Sequence, residues 1–98
     1  VLKFKNIEFE RNDIIISGER ISLPNHKVFN FLYFFVISCV KKDGEFDIRH
    51  MINISCILFE NTGIDNDDKK EMLEYLAILL EKGFGITKKK MLNYINII

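Results

Sequence analysis

Ninety-eight residues, 48% of them apolar and nine of them Phe, make a single domain with a real core; they exclude a disordered chain and leave no room for a second domain. Fourteen bases balance fourteen acids, but unevenly. Residues 1–42 carry seven bases and four acids, residues 43–81 three bases and ten acids, and residues 82–98 four lysines and no acid. Such a chain is dipolar. Its ends can face a polyanion while its middle faces a basic partner.

The longest apolar stretch, Val28 to Val40, contains Asn30 and Ser38 and is too short for a bilayer, so no membrane contact is expected. The chain begins with Val and has no signal peptide, which suits a domain excised or processed from something longer. Cys39 and Cys56 each lie in an apolar helical pattern, and reduced buried thiols are expected. His26 and His50 have no second ligand at helical spacing, so no metal and no cofactor are expected. No Ser-His-Asp or Cys-His arrangement has sequence context, and an enzyme is not expected.

In chain order, Leu2 and Phe4 alternate with lysines, and Ile7 and Phe9 alternate with glutamates. Asn12-Asp13 is a turn signal, Ile14 to Ile16 a β-branched strand closed by Ser17-Gly18, and Ile21 with Leu23 a third strand ending at Pro24. Together they predict a three-stranded antiparallel meander over residues 1–23. Asn25 is a good N-cap for a first helix, whose apolar face of Val28, Phe29, Phe31, Leu32, Phe35, Val36 and Cys39 makes it central to the core. Gly44 suits its end.

Asp47 caps a second helix with Ile48, Met51, Ile52 and Phe59 on one face, closed by Asn61-Thr62-Gly63. A third helix starts with the capping-box pattern Asp68-x-x-Glu71 and runs to Gly83 with a stripe of Met72, Leu73, Leu76, Leu79 and Leu80. Asp47 and Asp68 thus read as caps rather than catalytic acids. Gly83-x-Gly85 reads as a helix stop rather than a phosphate-binding loop. Residues 84–98, with Lys88-Lys89-Lys90 and Asn93-Tyr94, read as a β-hairpin. One core is expected from Val28, Phe31, Leu32, Phe35, Ile52, Leu73, Leu76 and Leu80. The class is α+β.

This order of sheet, three helices and hairpin resembles the winged-helix domain of OmpR- and ToxR-type transcription regulators. The resemblance rests on Leu23-Pro24-Asn25 leading to Phe29, Phe31, Leu32 and Phe35, and on the step from Gly44 to Ile52 into the second helix. It rests also on Ile86-Thr87 and Asn93-Tyr94-Ile95, where Asn stands in the family's glycine position. Leu73, Leu76 and Leu80 keep the apolar frame of the recognition helix, but Ala77 occupies its Arg position and Ile78 and Leu79 the neighbouring basic ones. The recognition helix is degenerate.

The resemblance implies a single winged-helix-like domain over residues 1–98: the sheet (1–23), three helices (25–83) and a hairpin wing (84–98). It also implies a cytoplasmic DNA-binding domain of a transcription regulator, on its own or as the cytoplasmic part of a membrane-anchored one. Its partner would be double-stranded DNA, with the third helix toward the major groove and the wing on phosphates. The residues expected at DNA are Lys69, Lys70, Lys88, Lys89, Lys90 and Tyr94. The alternative is a degenerate winged helix that binds a basic protein through Asp65, Asp67, Asp68, Glu71 and Glu74. A small phage, immunity or inhibitor protein with the same element order is a further alternative.

Overall fold

The first twenty-two residues form four short antiparallel strands rather than three, joined in sequence order as a meander: β1 (Leu2–Phe4), β2 (Ile7–Glu10), β3 (Asp13–Ile16) and β4 (Glu19–Ser22). These elements come from a computed structural model, which describes residues 2–4, 6–39 and 64–95. The extra strand has a physical reason. Apolar residues fall on even positions at Leu2 and Phe4 and on odd ones at Ile7 and Phe9. One continuous strand would send the two pairs to opposite faces, so the chain turns at Asn6 and Phe4 pairs with Ile7.

The next turn is Arg11-Asn12, one residue earlier than the turn signal, with Arg11 at φ 57° and Asp13 already in β3. Ser17 (φ 50°) and Gly18 (φ 85°) make the third turn. Two positive φ values in a two-residue loop match the right-handed twist of the strands it joins.

Register then sorts the faces. Phe9 pairs with Ile14, and Ile7 with Ile16, and all four are buried. The opposite face carries Glu8, Glu10, Asp13 and Arg20. There Arg20 donates to Asp13 Oδ2 at 2.8 Å and pairs with Glu10 at 3.6 Å, and the Asp13 hydrogen bond foremost raises the arginine's pKa.

Helix α1 (His26–Cys39) opens at Asn25, whose Oδ1 accepts from Val28 N at 3.0 Å. It lies on the inner face of the sheet, where Phe9, Phe29 and Tyr33 make a cluster of rings with centroids 5.5–6.2 Å apart. Val28, Phe31, Leu32, Phe35 and Val36 are its buried face. The predicted second helix, Ile52 and Cys56 included, lies outside the described residues.

Helix α2 (Asn66–Phe84) is the third predicted helix. Its cap is Asp65, not Asp68: Asp65 Oδ1 accepts from Asp68 N at 2.8 Å, which leaves the Asp68 carboxylate for Lys27 of α1 at 2.9 Å. Met72, Leu76, Ala77, Leu79 and Leu80 are buried against α1 and the sheet, with Leu73 half-buried beside them. Gly83 lies within the helix, where an added Cβ would already touch Ile7 and Ile16 at 3.5 and 3.6 Å. The helix ends one residue later. Gly85 (φ 69°) donates to Glu81 O and Ile86 N to Leu80 O, the paired bonds of a left-handed helix stop.

After that stop the chain forms a helix, α3 (Lys88–Ile95), and not the expected wing hairpin. Thr87 caps it: its Oγ1 accepts from Lys90 N at 3.3 Å and its carbonyl from Met91 N at 2.9 Å. Met91 is fully buried and anchors α3 to the core. The architecture is therefore α+β, a four-stranded meander covered on one face by helices.

Candidate functional site

Lys88, Lys89 and Lys90 form the first turn of α3, and all three are exposed. Position 88 lies one turn before position 92, so Lys88 and Leu92 share a side of α3. That side faces α2. There Lys70, Leu73 and Glu74 meet Lys88 and Leu92 around a groove of about 400 Å³. Two basic segments separated by most of α2 in sequence are thus brought to one place by the reversal at Gly85. Lys69, the neighbour of Lys70 on α2, is half-buried.

Among the described residues, three cations elsewhere have acidic partners, while Arg11 makes no ion pair. Lys27 is bound to Asp68, Lys82 to Glu19, and Arg20 to Asp13 and Glu10. Among the described residues, Lys69, Lys70, Lys88, Lys89 and Lys90 make no ion pair. The amino end of α3 adds the positive pole of the helix dipole to three ammonium groups.

The acidic face comes apart in the opposite sense. Asp65 is the cap of α2, Asp68 holds Lys27, and Glu71 accepts from Asn25 Nδ2 at 3.3 Å. These three carboxylates fasten α2 to itself and to the start of α1. Asp67 is exposed, and Glu74 lies in the lysine groove. The Tyr94 backbone belongs to α3, not to a wing strand; its side chain lies outside the described residues.

A second concavity, of about 340 Å³, lies between α1 and α2 and is lined by Lys27, Asn30, Phe31, Phe34, Ile64, Asp68 and Met72. Nearby Phe34 and Ile37 are 44% and 45% exposed. Among the described residues, no three His, Cys, Asp or Glu side chains gather at metal-binding distance, and no helix is long and apolar enough to cross a membrane.

The sequence singles out each lysine of the groove but neither of its leucines. Leu73 carries a core signal, and Leu92 falls within the expected hairpin. The clue to their meeting is Thr87 followed by helix-favouring Lys, Met and Leu, which is an N-cap and its first turns.

No family model, curated protein or solved structure gives a significant match to this chain.

Proposed function

We propose that this chain is a nucleic-acid-binding domain, in the manner of a transcription regulator's DNA-binding domain, which grips duplex phosphates through one lysine face. The observation that carries the reading is the convergence of Lys70 with Lys88 on one groove, flanked by Lys89 and Lys90, with no carboxylate bound to any of them among the described residues. The winged-helix plan enters in altered form. The sheet-then-helices order is kept, and the lysines ride on a helix where a wing would be.

The expected docking mode follows. An exposed ammonium cluster at a helix amino end attracts phosphate oxygens and releases counterions from the duplex. Such contacts position without reading sequence. Helix α2 is poorly suited to entering a major groove, because Ala77 and Leu79 are buried and Ile78 is half-buried where basic side chains would be needed. The duplex is instead approached from the Lys70 and Lys88 side, with Glu74 the one opposing charge in the groove. The alternative of a basic protein on the acidic face loses most of its charge to the cap and to Lys27 and Asn25.

The test is duplex binding at two salt concentrations. Replacing Lys88, Lys89 and Lys90 with Ala should weaken binding equally on unrelated sequences. It should also flatten the slope of log affinity against log salt by about 0.9 for each phosphate no longer neutralised. No binding by the parent at low salt, or unchanged binding by the triple variant, would overturn the reading.

A further inference from the structure

The lysine groove has a floor that phosphate does not use. Leu73 is half-buried and backed by the core, while Leu92 is 36% exposed, and the two line the same groove as Lys70 and Lys88. A phosphodiester backbone satisfies the ammonium groups and leaves both leucines as they were. A basic protein would meet the wrong charge.

The complementary surface has a large apolar side chain at its centre and carboxylates on either side, which is what an acidic amphipathic helix presents along one face. A volume of about 400 Å³ accommodates such an anchor. Charge supports the same occupant. Lys70 and Lys88 outnumber Glu74 in the lining, and Lys89 and Lys90 extend the positive field on the adjoining turn.

We propose that the groove between α2 and α3 docks an acidic, leucine-bearing helical segment of a partner protein. The segment's apolar anchor sits on Leu73 and Leu92, and its carboxylates sit on Lys70 and Lys88. The docking itself is independent of the nucleic-acid reading, but its consequence rests on it. Segment and duplex would share two lysines, so the partner would compete with DNA and release it.

The test uses the full chain and a labelled synthetic helix of leucine and glutamate, patterned so that the leucines fall on one face. A control helix keeps every glutamate and replaces each leucine with serine. Fluorescence anisotropy should show saturable binding of the first and binding of the control weaker by about tenfold or more, the effect of losing roughly one buried apolar side chain. Leu92→Gln should weaken the leucine helix by a similar factor while keeping duplex affinity within about twofold, since phosphate contacts do not involve it. Unlabelled leucine helix should displace labelled duplex from the parent.

Equal binding of the two helices, or an unaffected Leu92→Gln, would reduce the site to charge alone and overturn the proposal. Self-association of the parent that Leu92→Gln abolishes would assign the groove to a second copy and also overturn it. Duplex binding without peptide binding would sink this inference and leave the nucleic-acid reading. Peptide binding without duplex binding would do the reverse. The serine control needs no variant to fold.

Discussion

Phe35 is 1% exposed in the layer where α1 meets α2, and no smaller side chain can fill its volume without a void. Phe35→Ala should cost about 3–5 kcal/mol in urea unfolding; a loss below about 1 kcal/mol would show that the site is not core. Of the seven expected core residues that are described, six are buried (Val28, Phe31, Leu32, Phe35, Leu76 and Leu80), because helical spacing of apolar side chains speaks directly to burial. Backbone conformation is less legible. Arg11 at φ 57° holds a turn that glycine would enter freely, yet nothing in its side chain announces that. Arg11→Gly should raise stability by up to about 1 kcal/mol, as relief of left-handed strain outweighs the added freedom of the unfolded chain. Gly85→Ala should do the opposite by about 1 kcal/mol. An added methyl there meets nothing within 4 Å, so its cost would be backbone strain alone.

Among the elements, α3 is the least legible. Eight residues are too few to hold a helix in water. Their conformation is decided by what they pack on, and Met91 packs fully against the core. The same lysines read locally as a turn tip, because charge at a chain reversal looks alike in either setting. Met91→Ala should cost about 2–5 kcal/mol and move the backbone shifts of residues 88–95 toward coil. If those shifts stay helical, the anchor has been misplaced.

The lysines at the amino end of α3 oppose its dipole. The Lys88, Lys89 and Lys90 triple alanine variant should therefore melt no lower than the parent, and any weakening of duplex binding can be assigned to the missing ammonium groups rather than to unfolding. The tie between α1 and α2 is also electrostatic. Lys27 has its pKa raised above 10.5, first by its hydrogen bond to Asp68. Its contribution is complete below the ordinary lysine range and fades only as pH rises through the raised value, so neutral and mildly alkaline unfolding should not register it.

For the molecule as a whole, the uneven charge visible in the sequence is sorted by the fold into two uses. Carboxylates of the central stretch fasten helices, while Lys88 of the end meets Lys70 of the central stretch at one groove. The first use is not legible in the sequence, since Asp68 and Lys27 become neighbours only when α1 and α2 pack. Glu74 is the acid left inside the lysine field. Glu74→Gln should tighten duplex binding and steepen its salt dependence, because a repulsion close to the backbone is removed. Unaltered affinity would place the duplex away from this side of α2.

The closeness of Gly83 to Ile7 and Ile16 fixes an order of events during synthesis. The inner face of the sheet is made first, and α1 can shelter the Phe9 side once residue 39 has emerged. Among the described residues, the far end of α2 meets the Ile7 and Ile16 side, and that contact and the bond from Asn6 to the Gly83 carbonyl must await its synthesis. At ribosomal speeds of about 5–20 residues per second, the chain between residues 39 and 83 takes roughly 2–9 s to appear. For those seconds a β-branched patch of the sheet's inner face stands half-clothed at the tunnel mouth, a target for chaperones and for neighbouring nascent chains. A pause in synthesis while residue 39 is at the tunnel mouth should therefore yield more aggregate than an equal pause once residue 84 has emerged.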